Sequence, residues 1–139
     1  MKTKEKYDKN TSHLAGEFLV AGELARRGFP VSLTFGNAKS VDIYADIPKK
    51  GIIKVNAKAG RSKGNWPVTV GSVEDELFYI FVFLQTKRNF DTKPPEYFIV
   101  TGAEIKRNKL IEKWKSREGI KYNTLNNNDF KGRWDKLTK

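Results

Sequence analysis

The 139-residue chain has no cysteine, which excludes a disulfide framework, a thiolate metal site and a cysteine nucleophile. Its single histidine, His13, excludes a histidine-rich metal cage and argues against a Ser/His/Asp triad. No run approaches the roughly 18 apolar residues of a membrane span. The opening MKTKEKYDKN is charged and is followed by no apolar stretch of signal-peptide kind, so the expected location is the cytoplasm, with no membrane partner. Negative charge is also in short supply. Against 27 Lys+Arg stand 16 Asp+Glu, giving a formal net charge of +11. Such a balance suits a polyanion, because Lys and Arg neutralise phosphates and release counterions.

With 38% apolar and 12% aromatic residues the chain can fill an ordinary core. The expectation is a basic tail over residues 1–10 and a single domain over 11–139. No repeat or low-complexity linker divides it. The charge excess is uneven: residues 103–139 hold 11 basic and 5 acidic side chains, whereas 61–102 hold five of each.

Helical spacing predicts a helix over 12–27, with Thr11 or Ser12 as cap, Leu14, Phe18, Ala21 and Ala25 on its apolar side, and Gly28 as its stop. A short strand, VSLTF, follows Pro30 and leads to a turn at Gly36-Asn37. Residues 41–47 and 53–59 then alternate strictly, apolar on odd numbers and polar on even ones, with the turn Pro48-Lys49-Lys50-Gly51 between them. If both apolar faces lie on one side, paired residue numbers sum to 98 or to 100. Either register gathers Asp42, Asn56 and Lys58 into one polar cluster. The apolar run FYIFVFL at 78–84 reads as a strand buried on both faces and is expected at the centre of the sheet. Residues 97–100 give another strand. A helix is expected at 103–116, with Leu110, Ile111 and Trp114 on one side and Lys106, Arg107, Lys109, Lys113 and Lys115 on a solvated face. Phe130, Trp134 and Leu137 suggest a terminal helical turn on the core. The expected class is a mixed α/β fold whose sheet begins antiparallel.

The order GEFLVAGELARRG, VDI, VNAKA, continued through LFYIFVFL, PEYFIV and RWDKL, resembles the PD-(D/E)XK nuclease superfamily over nearly the whole chain after residue 11. That resemblance implies a restriction-endonuclease-like three-layer α/β core with C-terminal helices. It also implies metal-dependent endonuclease activity, most expected on DNA and less on RNA, with Mg²⁺ or Mn²⁺ as cofactor. Position by position, Asp42 matches the metal-binding aspartate, Asn56 the second ligand position, Lys58 the catalytic lysine and Glu17 the glutamate of the first helix. Asn56 departs from the usual Glu, Asp or Gln and leaves the site one charge short. The alternative is therefore a catalytically degenerate module that binds nucleic acid or a protein partner. Small enzymes that cut both strands often dimerise, so a homodimer is also left open.

Physical chemistry agrees with those assignments. Mg²⁺ is held by one or two carboxylates together with water and phosphate, and a nearby ammonium can offset charge that develops on the phosphate. Glu17 lies among apolar positions of the helix, where a carboxylate needs a partner. An ion pair with a core cation and a role beside the metal or Lys58 both answer that need. In GRSKGNW, Arg61 and Lys63 suit backbone phosphates, and Trp66 reads either as a stacking ring or as a core anchor. Lys54 is a phosphate contact or a solvated edge residue. Asp46 and Tyr44 read as ordinary strand residues, and His13 as a weaker catalytic candidate near Glu17.

Overall fold

The computed structural model describes residues 8–34 and 40–139; residues 1–7 of the expected tail and the expected turn at Gly36-Asn37 lie outside them. Helix α1 (Lys9–Arg26) begins three residues earlier than the sequence suggests, because Asp8 rather than Thr11 or Ser12 is its cap and accepts the Asn10 N–H at 2.7 Å. The helix therefore takes in Lys9 and Asn10, which the sequence assigned to the tail. Gly28, at φ +93°, ends it: its N–H donates to the Ala25 carbonyl and that of Phe29 to the Leu24 carbonyl. The apolar stripe is corrected too. Gly16, Val20, Ala21 and Leu24 are buried, whereas Leu14 and Phe18 are 49% and 56% exposed. The sheet lies under the 16, 20, 24 line, where Gly16 admits the closest approach.

Strands β1 (Val31–Leu33), β2 (Ile43–Ile47), β3 (Gly51–Gly60), β5 (Phe78–Phe83) and β6 (Glu96–Thr101) form a mixed sheet in the order β1-β2-β3-β5-β6. The β2–β3 hairpin pairs Ile43 with Val55 and Ile47 with Gly51, so its residue numbers sum to 98. β3 and β5 are parallel, and the other neighbours are antiparallel. β5 is buried along its whole length, as its apolar run requires. It is not the central strand, however. β3 holds that place, because α1 covers only one of its faces and its other face carries Asn56 and Lys58.

Strand alternation divides the core into two layers. Ile80, Val82 and Leu84 join Val55 and Ala57 against Val20 and Leu24 of α1. Tyr79, Phe81 and Phe83 point to the opposite side, against Trp66, Ile120, Tyr122 and Leu125. That second layer is a three-stranded sheet, β4 (Asn65–Pro67), β8 (Arg117–Lys121) and β7 (Glu112–Trp114), in the order β4-β8-β7, flanked by the short helices α2 (Gly102–Arg107) and α3 (Tyr122–Leu125).

The helix expected over 103–116 is thus replaced. A capping box of Thr101 and Glu104 starts α2, but Lys109 turns left-handed at φ 49° and stops the pattern. Lys115, at φ 56°, then turns β7 into β8. The ladder to β4 and burial of Ile120 outweigh the helical spacing of Leu110, Ile111 and Trp114. Lys113 and Lys115 consequently sit on a hairpin rather than on one helix face with Lys106 and Arg107. The terminal Trp134–Leu137 turn is 3₁₀, and Phe130, Trp134 and Leu137 are buried as expected.

Candidate functional site

Asp42 stands immediately before β2, fixed by the backbone on both sides. Its N–H donates to the Val55 carbonyl at 2.9 Å, and its carbonyl accepts the Thr34 N–H at 2.9 Å. The side chain is only 7% exposed, and its Oδ2 accepts the Ala57 N–H at 2.8 Å. Across the hairpin, the Nδ2 of Asn56 donates to the Ser40 carbonyl at 2.7 Å. That bond orients the amide and leaves Oδ1 buried without a hydrogen-bond partner among the described residues. An unpaired buried acceptor costs about 1–3 kcal/mol.

Lys58 follows on the same face of β3, beside Phe81 of β5. Burial pushes its pKa below the ordinary lysine value, and the nearby Asp42 charge offsets part of that shift. The Asp42 bond to the Ala57 N–H, the Asn56 bond to the Ser40 carbonyl and the Asp42 charge felt by Lys58 bring the three residues together at this end of the hairpin. The chemistry of the cluster is that of one carboxylate, one amide oxygen and one ammonium. Among the described residues no group of three or more His, Cys, Asp or Glu side chains forms a metal cage.

Helix α1 closes one side. Gly16 lies directly on β3, where a Cβ would come within 2.5 Å of the Ala59 Cβ. Glu17 is the next residue, half-buried at the edge of the packed face, and Lys9 and His13 precede it at four-residue intervals. Lys9, Ser12 and His13 face Lys58, Ala59, Gly60, Arg61, Trp66 and Pro67 across a cleft of about 490 Å³. Among the described residues, three cations line this cleft and no carboxylate does. Arg61 is held in place: its Nε donates to Ser12 Oγ at 3.0 Å, and its guanidinium lies 5.6 Å from the centre of the Phe90 ring.

The other expected contacts are distributed around this cleft. Lys63 lies with its ammonium 5.5 Å from the Tyr122 ring centre, on the far side of the loop from Arg61. Lys54 is exposed on the polar face of β3, opposite Tyr44. Of the two readings of Trp66, the structure bears out the core anchor and not the stacking ring. It is 2% exposed, its indole N–H donates to the Val82 carbonyl at 3.2 Å, and it packs on Phe81, Phe98 and Tyr122. It anchors the loop and offers no ring face to a base.

Sequence reasoning missed Lys9, Ser12 and Phe90. Their only signal was indirect: a small residue, Gly16, facing the sheet, which brings the start of α1 down on the end of β3. Beside Lys63 a second polar network also went unseen. Tyr122 Oη donates to Glu96 at 2.6 Å, Lys131 lies 3.0 Å from the same carboxylate oxygen, and Gln85 Nε2 lies 3.3 Å from the other. Burial and the Glu96 charge push the Tyr122 hydroxyl up to about 12. For Glu96, burial acts upward, but the bonds from Tyr122 and Lys131 win and hold its carboxyl below the usual range.

No protein-family model matches the sequence, and neither does any curated protein. Among solved structures, the chain is similar in fold to a bacterial homing endonuclease, I-Ssp6803I, with a TM-score of 0.59 at 12% sequence identity. The likeness covers 95% of this chain and 92% of that one. At so low an identity it establishes an endonuclease-like fold, a mixed α/β architecture with an N-terminal helix. No helix among the described residues is long and apolar enough to cross a membrane.

Proposed function

We propose that the protein is a metal-dependent endonuclease of PD-(D/E)XK type that hydrolyses phosphodiester bonds in DNA. The observations that carry this reading are a buried Asp42 carboxylate bonded to the Ala57 N–H, the neighbouring Asn56 Oδ1, buried without a hydrogen-bond partner among the described residues, and a partly desolvated Lys58 that feels the Asp42 charge. The similarity in fold to a homing endonuclease supports the same reaction class.

The donor set fits a hard divalent cation that keeps most of its waters. Asp42 and Asn56 Oδ1 would hold Mg²⁺ or Mn²⁺, which when bound lowers the pKa of coordinated water and stabilises charge on phosphate. Asn56 brings reach and a dipole but no charge, so affinity rests on Asp42 and on the substrate phosphate. The remaining work belongs to protein groups. Lys58 donates to a phosphoryl oxygen as negative charge builds there, and its partial desolvation makes that contact stronger than it would be in water. Arg61 and Lys9 hold the flanking phosphates across the cleft, and the Ser12 bond fixes the guanidinium before the substrate arrives. Glu17, next to Gly16 on α1 and half-buried, would support this end of the helix.

The test is cleavage of supercoiled plasmid in Mg²⁺ or Mn²⁺. Wild type is expected to nick it, EDTA to stop the reaction, and Lys58→Ala to slow it at least about 100-fold, the usual effect of removing one transition-state donor. Equal activity of the two proteins refutes the reading. Salt-dependent DNA binding without cleavage in any metal would show a degenerate binding module instead.

A further inference from the structure

On the far side of the Arg61–Asn65 loop lies a second cleft, of about 450 Å³, that the proposed hydrolysis does not use. It is lined by Lys63, Gly64, Asn65, Glu112, Lys113, Trp114, Lys121 and Asn123. Trp114 is the one tryptophan of three that is not buried. It stands on β7 near Gly119 of β8, where a Cβ would come within 2.7 Å of the Trp66 carbonyl oxygen on β4 and would also meet the indole Cη2 at 3.3 Å and Asn65 Oδ1 at 3.4 Å. The glycine admits the β4 backbone first, and the indole packs over the same spot. Lys63, Lys113 and Lys121 line it against Glu112; Lys121 pairs with Glu112 at 3.5 Å and Lys113 with Glu118 at 3.7 Å, and both lysines are exposed. Lys115 and Arg117 project from the adjoining turn and are exposed.

We propose that this cleft binds an unpaired segment of a nucleic-acid strand, with Trp114 stacking on a base, Lys63, Lys113 and Lys121 holding phosphates, and Asn65 and Asn123 offering amides to the base edge. The inference deepens the reading above and rests on it. A half-exposed aromatic ring among cations is the combination that single strands select, since every base has a face to stack and every phosphate a charge. A duplex keeps its bases stacked on one another and gives Trp114 no such face. Arg61 of the first cleft and Asn65 of the second are four residues apart, at most about 14 Å of extended chain, no more than about four nucleotides even at the 3.4 Å spacing of a duplex strand. One strand can therefore pass from the cleavage cleft to Trp114. The substrate class that follows is DNA with an unpaired stretch beside the scissile bond, such as a flap, an overhang or a displaced strand.

The test is binding in EDTA to short oligothymidylate and to a blunt duplex of equal length. Because Trp66 and Trp134 are buried, quenching of tryptophan fluorescence by the single strand reports on Trp114. The expected result is quenching in wild type, a loss of single-strand affinity of about tenfold in Trp114→Ala with the duplex affected less than about twofold, and near-complete retention in Trp114→Phe. Lys121→Ala, which leaves the ring in place, serves as a second variant and is expected to weaken single-strand binding and flatten its salt dependence. Unchanged affinity in both alanine variants, or equal loss for single strand and duplex, overturns the proposal. If plasmid cleavage still depends on Lys58 in that case, the nuclease reading stands alone. Failure of wild type to bind the single strand likewise overturns the proposal, and plasmid cleavage decides the nuclease reading separately.

Discussion

Replacing Asn56 by aspartate tests the balance of the site, because it adds a charge with almost no change in shape. Two losses follow in the metal-free protein. The bond from Nδ2 to the Ser40 carbonyl, 2.7 Å in length, disappears and is replaced by two facing oxygens; a neutral bond of this kind contributes about 1 kcal/mol. The new carboxylate also lies near the buried Asp42, whose Oδ2 accepts the N–H of Ala57, the next residue in the chain. At the usual cross-strand spacing of about 5 Å and an effective dielectric near 20, their repulsion is about 3 kcal/mol. The Lys58 ammonium returns part of this, so a net loss of about 3 kcal/mol is expected at neutral pH. For a domain of this size that lowers Tm by roughly 10 °C. The sign with pH is determined: like charge raises the folded pKa of the carboxylate pair, so the loss is full above that pKa and shrinks as the pH falls and one carboxyl takes a proton. A divalent cation reverses the order. If the introduced carboxylate joins Asp42 as a ligand, Mg²⁺ at 100 times its dissociation constant restores about 2.7 kcal/mol. The assay is thermal unfolding of wild type and N56D in EDTA and across a Mg²⁺ series. Equal Mg²⁺ shifts in the two proteins, or a variant more stable than wild type in EDTA, would rule out a charge-deficient cation site at Asp42 and Asn56.

Other perturbations separate function from stability. Lys58→Met should raise Tm at neutral pH while abolishing cleavage, because burial lowers the lysine pKa in the folded state. Its stability penalty is full below that lowered pKa and disappears as pH rises toward the ordinary lysine range near 10.4, so the advantage of Met should vanish in alkaline melts. Gly16→Ala should destabilise by about 1–3 kcal/mol despite the better helix former, since its Cβ would lie 2.5 Å from that of Ala59; urea unfolding of Gly16→Ala combined with Ala59→Gly should recover much of the loss. Tyr122→Phe removes the 2.6 Å bond to Glu96 and should cost about 1.5–3 kcal/mol at pH 7. Because the folded Glu96 pKa is lowered, that cost is present above the usual glutamate value near 4.3 and fades as pH falls through the folded one, which acid-range melts would show.

The hairpin was readable because alternation in a half-buried strand leaves few registers, and both candidates put Asp42, Asn56 and Lys58 on one face. The observed sum of 98 required only the length of the Pro48–Gly51 turn. The 103–116 segment was not readable, since Leu110, Ile111 and Trp114 satisfy a helical period by coincidence, and the ladder that holds β7 runs through β8 to β4, far back in the chain. The same non-local pairing hid the second cleft and turned Trp66 inward. Leu14 and Phe18 misled for a different reason: hydrophobicity marked them as the packed face, whereas the sheet selected the line through Gly16, the smallest residue. Lys9 and Ser12 entered the site through that same contact, a close approach that no local pattern announces.

The central claim, that Asp42 and Asn56 Oδ1 form one divalent-cation site, is tested most directly by the crystal structure of the protein soaked in Mn²⁺ and measured for anomalous scattering. A peak is expected at metal–oxygen distance, about 2.0–2.2 Å, from an Asp42 carboxylate oxygen and from Asn56 Oδ1, and is lost in Asp42→Ala. Full-occupancy Mn²⁺ elsewhere on the protein, with none between these two side chains, would contradict it.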